Sequence, residues 1–156
     1  MELEFLKQCM VFKELELIDL NILLPMFKKK EIAAGKTVFV ENMPGESLYL
    51  VESGEVDISK MLSEGDEQLL VSVGPGEVFG ELAVLDEAPR SATARVSSDT
   101  ILWRLERPDF DLLCRDHPAS GLRFVRNLVA LFCNRIRENN QEYREMILMG
   151  IVRQTA

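Results

Sequence analysis

Phe79-Gly80-Glu81-Leu82-Ala83-Val84-Leu85-Asp86-Glu87-Ala88-Pro89-Arg90-Ser91-Ala92-Thr93 passes through a glycine, a carboxylate, a small apolar turn and an arginine. Gly80 permits close backbone approach to a ligand. The apolar run after Glu81 reads as a short helix whose first N–H groups can face an anion. Arg90 brings a planar fork of donors that fits phosphate. Together these features describe a phosphate cradle. Gly74, Gly76 and Gly80 lack the spacing of a dinucleotide fingerprint, and too few residues precede Pro89 for a crossover helix. The complete Gly-x4-Gly-Lys-Ser/Thr pattern of a P-loop is missing from the sequence, since Lys30 stands where Gly35-Lys36-Thr37 would need its first glycine. On the glycines alone, Gly76 and Gly80 read as turn residues between strands.

Around the cradle, residues 29–106 alternate short runs rich in Val, Ile, Phe, Tyr and Leu with Gly, Pro, Asn and Asp clusters. The runs are Thr37–Val40, Ser47–Val51, Val56–Ile58, Leu69–Val73, Ala92–Val96 and Thr100–Leu105. Asn42-Met43-Pro44-Gly45, Ser53-Gly54 and Ser63-Glu64-Gly65-Asp66 separate them as turns. Many short strands at regular spacing predict a sandwich or a barrel-like roll.

Both flanks read as helical. In residues 1–28, Leu3, Leu6 and Met10, then Leu15, Ile18, Ile22 and Met26, recur at helical spacing, and Lys28-Lys29-Lys30 reads as a solvated helix end. In residues 107–149, Arg107-Pro108-Asp109 opens a helix that Pro118 ends, and a long helix follows from about Ala119. On that helix Leu122, Val125, Val129, Phe132, Ile136, Asn139, Tyr143 and Met146 alternate by three and four, a heptad seam with one polar interruption. Phe124, Leu128 and Leu131 form a second stripe beside it. One stripe serves the strands and the other a partner helix. The alternative is one helix covering the core of a single domain.

At 156 residues the chain fits one domain, 1–156. No apolar run reaches the roughly 18 residues of a membrane span, and the acidic Met1–Leu6 segment is not a signal peptide. Cys9, Cys114 and Cys133 match no metal or disulfide pattern and read as reduced thiols in a cytoplasm. His117, the only histidine, precedes Pro118 as a helix-end residue. With no nucleophile–base pair or metal cluster, the residues point to no enzyme, no metal and no cofactor. The net charge of −8 argues against nucleic-acid binding. It does not argue against a phosphate ligand, because surface charge is screened beyond about 8–10 Å. Glu77, Glu81, Asp86 and Glu87 make the cradle itself acidic, so an anion there needs directed N–H donors as well as Arg90.

The whole run resembles the phosphate-binding cassette of the cyclic nucleotide-binding domain family: Phe-Gly-Glu-Leu-Ala-Leu, a few variable residues, then Pro-Arg-Ala/Thr/Ser-Ala-Thr. Phe79 to Leu85 and Pro89 to Thr93 match in register, with a conservative departure at Val84. Ala34-Gly35, Pro44-Gly45-Glu46-Ser47-Leu48-Tyr49, Ser53-Gly54-Glu55-Val56 and Gly74-Pro75-Gly76 extend the likeness. The resemblance implies an α+β, mainly β fold: an antiparallel β-roll (jelly-roll-like) over 29–106 with cassette 79–93, N-terminal helices and a long C-terminal helix. It implies that Gly80 admits the ribose and phosphate, Glu81 accepts from the ribose 2′-hydroxyl, and Leu82 and Ala83 offer N–H groups to the cyclic phosphate. Arg90 would pair with the phosphate, while Ser91 and Ala92 close the far side. A surface ion pair with Asp86 or Glu87 is the alternative for Arg90.

In the family, the residue after the arginine helps separate adenine from guanine. Ser91 resembles the serine of catabolite activator proteins, which implies cyclic AMP, with cyclic GMP as the alternative. Those proteins dimerise through a long helix whose polar residues reach the base. The resemblance therefore implies a homodimer and a base contact from Asn139 or Asn140. Against the base contact stand a buried Asn fixing dimer register and a solvated helix surface. The function implied is a non-catalytic cytoplasmic sensor that signals through its C-terminal helix, without direct DNA or membrane binding. The alternatives are a catabolite-activator-type regulator truncated before its DNA-binding domain, and an interaction scaffold that binds no nucleotide. Only Ile151 to Ala156 follow the long helix, too little for a helix-turn-helix.

Overall fold

The computed structural model describes residues 3–63, 65–86 and 88–154, with side chains from 5 to 149 among them. Leu3, Glu64, Glu87 and the side chains of Ile151 to Ala156, all used in reading the sequence, lie outside the described residues or side chains. Strands β1 (Lys28–Ile32), β2 (Thr37–Phe39), β3 (Ser47–Ser53), β4 (Val56–Ser63), β5 (Asp66–Val73), β6 (Val78–Phe79), β7 (Thr93–Val96) and β8 (Thr100–Glu106) form the roll. They pair into two four-stranded sheets, ordered β1-β8-β3-β6 and β2-β7-β4-β5. Every pairing is antiparallel. The helices are α1 (Leu3–Gln8), α2 (Leu17–Leu23), α3 (Leu82–Leu85), α4 (Arg107–Asp116) and α5 (Pro118–Gln154). The fold is thus an antiparallel β-roll with helices at both ends and one long C-terminal helix.

Strand β3 explains how roll and helices share a core. Its side chains alternate between faces, and Ser47 to Val51 are all buried. Tyr49 and Val51 point into the roll with Phe79, Val56, Val96 and Leu102. Leu48 and Leu50 point the other way, into a cluster with Phe12, Phe27, Phe110 and Phe124 from the helical layer. Val78 and Phe79 repeat the alternation just before the cassette.

Two readings of the N-terminal region need correction. Lys28, Lys29 and Lys30 are not a helix end but the start of edge strand β1, paired with β8 from Lys28↔Arg104 to Ile32↔Thr100. Lysines suit an exposed edge, and Lys28 Nζ meets Glu106 Oε2 at 2.6 Å. The preceding region keeps its two helical spacings only in part. It breaks between α1 and α2 into a 3₁₀ turn, Met10–Phe12, and Ile18 is exposed while Leu6, Val11, Phe12 and Leu23 are buried.

Helix α5 divides its faces. Phe124 and Leu128 are fully buried with Leu131 packed beside them, so the core takes the second stripe. Leu122, Ile136, Tyr143 and Met146 on the three-four seam are each more than half exposed. The N-terminal helices grip the first turns of α5. Asn127 Nδ2 donates to Val11 O and Lys13 O at 2.9 and 2.8 Å. Buried Asp19 accepts from Ser120 Oγ at 2.6 Å and from Arg123 Nη1 at 2.9 Å.

Burial pushes the Asp19 carboxyl up, but the bonds from Ser120, the Glu16 N–H and Arg123 together bring it below the ordinary aspartate value. A depressed carboxylate stabilises the fold above its unfolded value and loses that contribution as pH falls through its native one. Asp19→Ala should cost roughly 2–3 kcal/mol near neutral pH, below the usual figure for a buried pair because Arg123 is partly exposed. In urea unfolding, the gap between variant and wild type should shrink below about pH 4. A gap that does not change with pH would contradict the network.

Candidate functional site

The cassette leaves the roll at Phe79, whose ring stacks on Tyr49 at 5.2 Å between centroids. Phe39 completes an aromatic floor, 5.9 Å from Phe79 and 6.0 Å from Tyr49. Gly80 follows with φ of +70°, and a Cβ there would lie 2.7 Å from Arg90 Nη1 and 3.0 Å from the Phe39 ring. The glycine is therefore required twice, by the left-handed backbone and by the approach of Arg90. Its proposed service to a ligand is additional to this local demand.

Arg90 is only 5% exposed. Its guanidinium lies 4.0 Å above the Phe39 ring centroid, a cation–π contact. Nη1 donates to Gly80 O at 2.9 Å and Nη2 to Ser47 Oγ at 3.3 Å. Its buried Nε meets no hydrogen-bond partner among the described residues. The fork is thus partly used, on neutral acceptors alone. Its backbone is clipped to the turn before β3, Arg90 N–H to Met43 O at 2.9 Å and Asn42 N–H to Arg90 O at 2.8 Å. The surface pairing with Asp86 does not form: Asp86 Oδ1 accepts from the Ala88 N–H. Glu87 falls outside the described residues.

Glu81 precedes α3 and is 7% exposed. Arg135 Nη1 on α5 lies 2.6 Å from its Oε1, and Arg135 Nη2 donates to Val78 O. Burial pushes the Glu81 carboxyl above the ordinary glutamate value, and Arg135 and Arg90 offset this only partly. Leu82 is exposed and Ala83 buried at the start of the four-residue α3. Beyond Arg90, Ser91 is exposed and Ala92 buried, and the Thr93 hydroxyl accepts from the Glu41 N–H.

Gly80, Glu81 and Arg90 thus lie together on one segment, with Leu82, Ala83, Ser91 and Ala92 along it. Asn139 and Asn140 lie exposed on α5, outside this cluster. Asn139 is one turn beyond Arg135, on the neighbouring i+4 position.

Arg135 was not found by sequence reasoning, and neither were Ser47 and Phe39. The signal for Arg135 existed: Phe124, Leu128 and Leu131 step along the core stripe, and Arg135 is its next position, a cation where an apolar residue would continue. Among the described residues, no cluster of three or more His, Cys, Asp and Glu could hold a metal, and no helix is long and apolar enough to cross a membrane.

A family model described as cyclic nucleotide-binding domain matches residues 29–117. The Cyclic AMP receptor protein of Thermus thermophilus is 38% identical over 124 residues, 80% of this chain and 56% of that protein. The chain therefore spans little more than half the length of that relative. The crystal structure of Thermus thermophilus Catabolite Activator Protein superposes with a TM-score of 0.76 at 36% identity, over 88% of this chain and 62% of the other. The regulatory domain of Toxoplasma gondii PKA, co-crystallised with cAMP, gives 0.65 at 40% identity, over 73% of this chain and 43% of the other.

Arg135→Met removes the cation from Glu81 and leaves its carboxyl buried. The Glu81 titration midpoint should rise by about one pH unit or more, read by carbon NMR of the side-chain carboxyl. An unmoved midpoint would show that the pair does not hold Glu81 ionised.

Proposed function

The chain belongs to the cyclic nucleotide-binding domain family, and on that premise we propose that it is a non-catalytic sensor of cyclic AMP, with cyclic GMP as the alternative ligand. The observation that carries this reading is the convergence of one buried carboxylate and one buried guanidinium on a single short segment. Phosphate needs the guanidinium and ribose needs the carboxylate, and Glu81 and Arg90 supply both at the mouth of an aromatic-floored roll.

In the bound state Arg90 exchanges its neutral acceptors for a phosphate oxygen. The N–H groups of Leu82 and Ala83 meet the same anion at the start of α3. Glu81 accepts from the ribose 2′-hydroxyl. Ser91 offers its hydroxyl and Ala92 its N–H at the far side, and Ser91 is exposed and free to turn toward a ligand. The base lies toward α5, where Asn139 or Asn140 meets it. Gly80 admits the ligand to the backbone.

Signal leaves through α5. A ribose that claims Glu81 competes with Arg135, so ligand and helix position are linked through one carboxylate. Any arrangement of α5 that binds ligand more tightly is favoured by its presence, a population shift. The exposed three-four seam supports a homodimer through the same helix. A second reading places this chain as the sensor portion of a catabolite-activator-type transcription regulator. The similarity to the Thermus thermophilus receptor over 56% of that protein supports it, with DNA binding assigned to a separate segment. A scaffold that binds no nucleotide would leave the buried Nε of Arg90 without a hydrogen-bond partner among the described residues. A cytoplasmic location fits a ligand of this class.

Arg90→Ala should cost roughly 2–4 kcal/mol of cyclic AMP binding, about 30- to 1000-fold in affinity. Calorimetry showing unchanged affinity for a folded variant would remove the site assignment. Light scattering at micromolar concentration should give a dimer mass, and a monomer would contradict the seam.

A further inference from the structure

Arg107 has no part in the reading above, yet it reaches two segments that build the site. It is the first residue of α4. Its backbone N–H donates to Glu46 O at 2.7 Å. Its Nη2 donates to Gly45 O at 3.0 Å and also to Ala83 O. The carbonyls at the end of a helix have no intrahelical partner, and a four-residue helix is nearly all ends. Within α3, the N–H groups of Val84 and Asp86 take Glu81 O and Leu82 O at 3.1 and 2.9 Å. The carbonyl of Ala83 goes to the guanidinium.

Gly45, the other acceptor, is wedged against the same machinery. A Cβ there would lie 2.6 Å from Arg90 Nε and 2.7 Å from Ala83 Cβ. The turn before β3 therefore packs directly on Arg90 and α3, with no room for a methyl group. Its neighbours Asn42 and Met43 hold the Arg90 backbone. One guanidinium thus secures both sides of this contact with charge-assisted hydrogen bonds, about twice as strong as neutral ones.

We propose that Arg107 is a positioning residue for the anion site. It fixes α3, whose leading N–H groups face the anion, and the Gly45 turn, which sets Arg90, in one frame at the head of α4. Its effect on ligand affinity rests on the cyclic nucleotide reading, whereas its effect on the cassette does not. Lysine keeps the charge but is a point donor without the planar fork, so it holds this frame less well.

Amide hydrogen exchange of the full chain without ligand, paired with calorimetric titration of cyclic AMP, tests the proposal. In Arg107→Met, exchange at the Val84 and Asp86 N–H groups should rise about tenfold or more while β3 and β8 keep their wild-type rates. Cyclic AMP affinity should fall about tenfold, with Arg107→Lys between the two. Cassette amides that exchange at the wild-type rate would overturn the proposal. So would acceleration spread evenly over β3 and β8, the mark of a merely structural role. If Arg107→Met does not fold, Arg107→Lys gives the same comparison with a smaller expected change. Loosened cassette amides in a protein whose wild type binds no cyclic nucleotide would uphold the positioning role and overturn the nucleotide reading instead.

Discussion

A carboxylate buried as deeply as Glu81 cannot stand ionised alone, and the chain meets that constraint from a distant element. Arg135 reaches back from α5 to within 2.6 Å of Glu81. Removing one partner of such a pair leaves an uncompensated charge in the interior. The pair therefore ties the position of the long helix to the state of the cassette. Arg90 shows the complementary condition. It is a buried cation resting on an aromatic ring, a carbonyl and a hydroxyl. Neutral acceptors and ring contacts stabilise a guanidinium less than an anion would. The segment thus holds one buried charge paired with an opposite one and one resting on neutral partners alone.

The surrounding architecture makes that arrangement consequential. Strand β3 buries both faces, so the aromatic floor of the site and the helical core are opposite sides of one strand. The first turns of α5 are held by Asp19 and by the N-terminal segment through Asn127. Farther along, Arg135 is the described contact that returns the helix to the cassette, and the seam residues beyond it face outward. A helix anchored at one end and tied farther on to Glu81 and Val78 O through Arg135 couples its position to the cassette. In the proposed homodimer, the exposed seam is where the second copy meets this helix.

The β-roll was legible because its strands carry β-branched and aromatic residues between glycine and proline turns, and the cassette because Glu81 and Arg90 sit at motif spacing. The heptad seam and the core stripe on α5 were also legible, since helical period separates them. What failed was local. Lys28 to Lys30 look like a solvated helix end, but pairing with β8 outweighs their intrinsic preference. Ile18 keeps the helical spacing of Leu15, Ile22 and Met26 yet is exposed, because α2 turns Asp19 and Leu23 to the core instead. Strand β6, two residues long, carries too little pattern to be seen. Arg135, Ser47 and Arg107 escaped for a different reason. Each acts on the cassette across at least 24 residues of sequence, and a motif scan reads only neighbours.

The central claim is that Glu81 and Arg90 form the ribose and phosphate ends of one cyclic nucleotide site. Calorimetric titration of the chain with cyclic AMP and with its 2′-deoxy analogue tests it most directly. The account predicts one saturable site per chain for cyclic AMP and about tenfold or more weaker binding of the analogue, which lacks the hydroxyl that Glu81 accepts from. No heat with cyclic AMP, or equal affinity for the two ligands, would contradict it.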